Sequence, residues 1–185
     1  MMMALTGKNI VGGRFEGEGP VGFRAFNPAT GMELEPQFHE ATMKEIHAAA
    51  QIAESAFRQY RTKSGGEKAS LLDAIADEVV ALGDDLLRRC ASETGLPESR
   101  LANERGRTVH QLKLFAALVR EGSWVDARIA PPAPERTPFP KPDIRSMQRP
   151  LGPVAIFGSS NFPLAFSVAG GDTASALAAG CAVVA

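Results

Sequence analysis

The segment from Leu151 to Ala185 constrains this chain more than any other. Val154-Ala155-Ile156-Phe157 is a short apolar run, as a strand buried on both faces of a parallel sheet requires. Gly158-Ser159-Ser160-Asn161 follows as a turn. Pro163 suits a first helical turn, and small residues carry the helical pattern to Ala179, where Gly180 stops it. Cys181 to Ala185 is a second apolar strand. Strand, tight turn, helix and strand make a βαβ unit with a right-handed crossover, which sets the fold class as α/β. A membrane span is the competing reading, because Asp172 is the sole charge between Pro163 and Ala185 and roughly 20 apolar residues can cross a bilayer. Gly170, Gly171, Asp172, Thr173, Ser175 and Gly180 interrupt that run, so a buried helix and strand fit better.

Upstream the pattern is different. In the first forty residues Val21, Phe23 and Ala25 alternate as in a strand, and Asn27-Pro28-Ala29-Thr30-Gly31 is a turn signal. A hairpin or edge strands covering a helical layer are expected. Thr42 with Glu45, and Ser64 with Glu67, carry capping-box spacing. Behind the first, Ile46, Ala49, Ala50, Ala53, Phe57 and Tyr60 share one helical face; behind the second, Leu71, Leu72, Ile75, Val79 and Leu82 do so, up to Gly83. Asp84–Thr94 reads as a third helix closed by Gly95. Pro97–Glu121 reads as a fourth, ended by Gly122, with Leu101, Val109, Leu112, Phe115, Leu118 and Val119 on its apolar face.

From Trp124 to Ile129 and from Ile144 to Arg149 two strands are expected, separated by six prolines between Pro131 and Pro142 that forbid regular structure. Such an arm protrudes and can add to the sheet of a neighbouring subunit. Three segments follow: 1–123 as an N-terminal helical part, 124–150 as the arm, and 151–185 as the first βαβ of a dinucleotide-binding domain, truncated.

Composition narrows the partners. With 44% hydrophobic and 22% charged residues and a net charge of −1, the chain looks like an ordinary globular protein, and no electrostatic case exists for nucleic acid or an anionic membrane. The two cysteines, Cys90 and Cys181, lack metal-ligand spacing and read as reduced thiols of a cytoplasmic protein; no metal site is expected. Met1 to Lys8 holds no apolar core of signal-peptide length.

In a βαβ unit, ligands bind at the carboxyl edge of the sheet, beside the loop after the first strand. The amides of Gly158, Ser159 and Ser160 can face a phosphate or a ribose there, although no G-x-G-x-x-G or G-x-x-x-x-G-K-[ST] spacing occurs. Asn161 offers two uncharged donors to a developing oxyanion. By spacing alone, capping the helix near Pro163 is its plainer role.

The run LGPVAIFGSSNFPLAFSVAGGDTASALAAGCAVV, residues 151–184, resembles the first βαβ of the aldehyde dehydrogenase superfamily, and its NFPL tetrad, Asn161 to Leu164, is the most characteristic part. FNPATG, residues 26–31, is similar to an early motif of that family. Residues 93–124 resemble the subgroup acting on α-ketoglutaric semialdehyde (2,5-dioxovalerate), and long-chain aldehyde dehydrogenases share the style of the loop. The resemblance implies that Asn161 helps to form the oxyanion hole. It implies that Phe157, Gly158, Ser159 and Ser160 lie against NADP or NAD, that Phe162 borders the substrate tunnel, and that residues 124–150 join subunits into a homo-oligomer. A core role for Phe162 stays open.

The implied reaction is oxidation of an aldehyde to an acid. A cysteine thiolate adds to the carbonyl, and a glutamate later activates water against the thioester. In the family both groups come from later sequence; Cys90 and Cys181 read as small core hydrophobes. Arg105 and Arg107 lie on the helix that borders the tunnel in relatives. They suit either a grip on a substrate carboxylate, or a surface pair with Glu104 or a solvated face. A non-catalytic assembly module is the alternative, weakened because a domain rarely stops within a buried strand. A fragment, or the ordered part of a longer protein, is therefore expected.

Overall fold

The computed structural model describes residues 5–17 and 19–185; the leader reading of Met1 to Lys8 falls partly outside them. Two antiparallel hairpins open the chain: β1 (Asn9–Val11) with β2 (Arg14–Glu16), and β3 (Gly22–Asn27) with β4 (Met32–His39). The turn of the second is built by Asn27, whose side-chain oxygen accepts from the amides of Ala29 (2.9 Å) and Thr30 (3.3 Å). Gly31 closes it at φ 72°, a left-handed conformation that glycine adopts without strain.

Four helices follow. Both capping boxes form as the spacing requires. Thr42 caps α1 (Met43–Tyr60), its hydroxyl accepting from the Glu45 amide (3.2 Å) while the Glu45 carboxylate accepts from the Thr42 amide (2.7 Å). Ser64 and Glu67 do the same for α2 (Gly65–Ala81) at 3.2 and 2.9 Å. Then α3 (Gly83–Thr94) and α4 (Glu98–Glu121) end at Gly95 and Gly122, both left-handed.

The buried faces include Ala53, Phe57 and Leu72 as expected but depart from the pattern beside them. On α1 the stripe is Glu45, Ala53 and Phe57, while Ile46 is exposed; on α2 it is Lys68, Ala69, Leu72 and Ala76, while Leu71 and Leu82 are exposed. Small side chains explain α2. Ala69 and Ala76 let α4 approach closely through Ala116, a contact bulky residues would hold apart. The main core joins Leu72, Leu112, Ala116 and Val119 to Ala174 and Ala178 of α5 (Gly171–Ala179). A satellite of Leu87, Cys90 and Leu101 ties α3 to α4. Full burial of Leu72 or Leu112 contributes about 2–3 kcal/mol each.

The arm is narrower than its pattern. Ser123–Val125 is a 3-10 turn, and only β5 (Arg128–Ala130) and β6 (Ile144–Ser146) pair, antiparallel, with one further bridge from Ala133 to Lys141. Asp126 interrupts it in a left-handed conformation at φ 46°.

The closing βαβ differs from expectation in two ways. First, β7 (Val154–Ala155) and β8 (Val183–Val184) pair in parallel, but the strands are short and not buried on both faces; Phe157 is 87% exposed and Leu151 97%. Helices α1 and α5 pack against β8, and no described strand flanks the pair. Second, no helix starts at Pro163. Residues 160–170 form a knot of turns and the helix spans only Gly171–Ala179. Among the described residues no helix is long and apolar enough to cross a membrane.

Candidate active site

The knot of turns leaves β7 at the carboxyl edge of its sheet, and its backbone mostly bonds to itself. The Ser159 amide donates to Phe166 O (2.8 Å), Phe166 N to Phe162 O (3.1 Å) and Gly171 N to Ala165 O (3.2 Å). Gly170 is required here: a Cβ would lie 2.7 Å from the Ala165 carbonyl oxygen. Two sequence expectations fall with this geometry. The Ser159 amide is already used, so it cannot face a phosphate, and the turn has no helix N-terminus directly after it to favour an anion.

Helix α4 supplies what the missing helical turn would have given. Glu104, 6% exposed, accepts the Leu164 amide at 3.2 Å through Oε2. The Thr108 hydroxyl meets the Leu164 carbonyl (3.0 Å) and its own helix's Glu104 carbonyl (3.1 Å). Arg100 joins the two parts, donating from Nε to Glu104 Oε1 (3.2 Å) and from Nη2 to the Asn161 carbonyl (2.8 Å). A buried carboxylate is costly without partners; here it has a guanidinium and an amide.

Asn161 is exposed at the tip. Its side-chain carbonyl accepts from the Ser159 hydroxyl. That bond fixes the amide's orientation and leaves the Nδ2 hydrogens without an acceptor among the described residues. Asn161 caps no helix, since α5 starts ten residues later behind Gly170; the plainer role suggested by spacing is gone.

Phe162 packs edge-on to Phe166, with centroids 5.5 Å apart at 79°. The Arg107 guanidinium lies over both rings, at 5.7 and 5.0 Å, and that of Arg100 lies 5.6 Å from Phe162. The two arginines singled out in sequence therefore part company. Arg107 joins the aromatic pair, while Arg105 donates to the Gly83 carbonyl (2.8 Å) at the α2–α3 junction. Neither pairs with Glu104, whose ionic partner is Arg100. Phe157, Gly158, Ser159 and Ser160 are all exposed. Phe157 offers an exposed flat ring, while the Cβ side of Gly158 faces the Phe166 carbonyl (3.2 Å) inside the turn. No cation lies among these four, and Asp172 in the first turn of α5 opposes a phosphate there.

Both cysteines are buried. Burial pushes the Cys90 thiol above its ordinary range, and the charges of Glu93 and Glu104 add to the rise. Such a thiol is a poor nucleophile. No group of metal-ligating side chains occurs among the described residues.

Arg100, Glu104 and Thr108 were not singled out in the sequence as site residues. The signal was present: positions 101, 104, 108 and 112 form one helical stripe, and two of the four are polar where apolar residues belong.

The sequence profile of the aldehyde dehydrogenase family matches residues 16–185. The chain is 51% identical over 183 residues to alpha-ketoglutaric semialdehyde dehydrogenase 2 of Azospirillum brasilense, covering 98% of this chain and 35% of that protein. It is 51% identical over 147 residues to alpha-ketoglutaric semialdehyde dehydrogenase of Acinetobacter baylyi, covering 80% and 28%. Among solved structures, succinate-semialdehyde dehydrogenase from Burkholderia pseudomallei superposes with a TM-score of 0.81 at 29% identity, over 96% of this chain and 35% of that one. The chain thus spans about a third of the length of the curated relatives it matches. With a matched profile over most of its length and the same fold in a solved relative, the chain belongs to the aldehyde dehydrogenase family.

Proposed function

We propose that this chain is the Asn161-bearing part of an NAD- or NADP-dependent enzyme that oxidises α-ketoglutaric semialdehyde to the dicarboxylate. The observation that carries the reading is the state of the Asn161 amide: exposed at the carboxyl edge, oriented by Ser159, its donors free. Aligned donors held before the reaction stabilise charge that develops only in the transition state. In the proposed reaction a thiolate adds to the aldehyde carbon and Asn161 donates to the oxygen that becomes negative. Neither Cys90 nor Cys181 serves as that thiol, since both are buried. When bound, the nicotinamide dinucleotide supplies the two-electron oxidant, and Phe157, Gly158, Ser159 and Ser160 are the residues proposed to lie against it, along its ribose or nicotinamide rather than its diphosphate.

Substrate choice is proposed to rest on Arg107 beside Phe162. A guanidinium fixed over two rings meets a carboxylate at little entropic cost. Arg105, engaged with Gly83, is left out of that role. The likeness to two alpha-ketoglutaric semialdehyde dehydrogenases supports this substrate over long-chain aldehydes. Residues 124–150 are proposed to join subunits, supported by the exposed Ile129, Phe139 and Ile144 of the arm.

The test is steady-state kinetics of the gene product that carries this sequence, following reduced nicotinamide with each cofactor. Asn161→Ala should lower kcat by about 100-fold, equivalent to about 3 kcal/mol. Arg107→Gln should raise KM for the semialdehyde while leaving an aldehyde without a carboxylate unaffected. A gene product that oxidised no aldehyde with either cofactor would refute the reading.

A further inference from the structure

The Lys68 side chain is 7% exposed, and its ammonium, which still reaches solvent, has no hydrogen bond or ion pair among the described residues. Buried charges are normally paired, because taking an ion out of water is costly unless a counter-charge replaces the solvent. Burial pulls the Lys68 pKa below the ordinary lysine range, against the opposing influence of Cys181.

The same side chain lines a cavity of about 390 Å³ between the start of α2, the foot of the arm and the end of α5. Arg61, Lys63 and Arg149 line it too, and no carboxylate does. Among the described residues only Lys63 is neutralised, by Glu67 at 2.8 Å; Arg61 rests on the Phe57 ring, and Arg149 has no ion pair there. Gly65, the first residue of α2, is also in the wall, which puts a helix N-terminus at the edge of the same space, its dipole partly offset by the capping Glu67. In a chain of net charge −1, three uncompensated cations and a helix N-terminus around one cavity form a local excess. The site is separate from Asn161. It lies at Ala179 and Pro150, the amino edge of the βαβ unit, and no residue from Phe157 to Gly170 lines it. The nine-residue α5 sets the two ends about 13 Å apart.

We propose that this cavity binds a phosphate dianion, held by Lys68, Arg61 and Arg149. A group with two charges and several acceptor oxygens satisfies an ammonium, two guanidinium forks and the α2 amides together, where a single carboxylate would leave donors unmet.

Trp124, the one tryptophan of the chain, lines the cavity and reports on it directly. The full chain is titrated with inorganic phosphate at constant ionic strength, with chloride and acetate as parallel arms. A saturable change in Trp124 fluorescence with phosphate, absent with chloride and weaker with acetate, is expected. Arg149→Gln and Arg61→Gln, both at exposed positions, should each weaken binding about tenfold. Lys68→Met should abolish it and Lys68→Arg retain it, with far-UV circular dichroism checking the fold. If Lys68→Met does not fold, the two arginine variants decide. A response equal with chloride, or unchanged in Arg149→Gln and Arg61→Gln, overturns the proposal. So does tighter binding of acetate, which would make this a carboxylate site. A signal that follows protein concentration instead of phosphate would identify a second copy as the occupant and also overturn it.

Discussion

Helix α2 and the turn from Gly158 to Gly170 both carry polar residues at critical points, but they are held together differently. In α2 the ordering bonds are local: Ser64 and Glu67, three residues apart, satisfy each other's amides. In the turn they come from far away in sequence. Glu104 reaches the Leu164 amide and Arg100 reaches the Asn161 carbonyl across about sixty residues. Local bonds form with the helix and need no tertiary structure. The long-range ones exist only once α4 has packed, so the turn's shape is a property of the whole fold.

That contrast can be broken or sharpened by experiment. The largest effect is expected in the shared scaffold: Leu112→Ala or Leu72→Ala should cost about 3 kcal/mol in urea denaturation, because each side chain is fully buried between α2, α4 and α5. Loss of Glu104 comes next. Glu104→Ala leaves the Leu164 amide without its acceptor and should cost about 2 kcal/mol. Hydrogen exchange should quicken at Leu164 and Phe166 while the α2 amides stay protected; uniform acceleration would show that turn and helix form one cooperative unit. Thr42→Ala tests the local side. It should cost about 1 kcal/mol and leave the turn's exchange unchanged.

The smallest effects are in pH dependence. Burial, reinforced by Cys181, lifts the one tyrosine, Tyr60, from the ordinary value near 10 to about 12. A raised pKa means that the folded state favours the protonated phenol. Its contribution is complete below about pH 10 and is lost as pH rises toward 12; absorbance titration of the native protein should therefore show ionisation only near pH 12. Glu67 has the opposite sign. The Lys63 ammonium and the Ser64 amide and hydroxyl bring its pKa down to about 2, so its support of α2 holds above about pH 4.3 and fades as pH falls toward 2. Glu67→Gln should remove that part of the acid dependence of the melting temperature.

The sequence was most informative where a residue's partners are its near neighbours. The four helices, their caps at Thr42 and Ser64, their stops at Gly95 and Gly122, and the Asn27–Gly31 turn all formed as read. The parallel pairing of β7 and β8 was legible from two apolar runs flanking a small-residue helix. Faces were read less well. Ile46 and Leu71 were placed inward by periodicity and are exposed; for Leu71 the reason is the small faces of Ala69, Ala76 and Ala116, which bring α2 and α4 together on another side.

Residue types and short spacings thus determined on their own that α1 to α4 form, where these four start and stop, and that Asn161 follows a strand of a βαβ unit. Tertiary structure alone decided that no helix begins at Pro163, that Arg107 and not Arg105 stands beside Phe162, and that Glu104 and Thr108 hold the turn. The physical reason lies in the range of the bonds. A cap is settled within three residues, whereas an amide offered a buried carboxylate from another helix gives up its helical bond for that one, and no local pattern records the exchange.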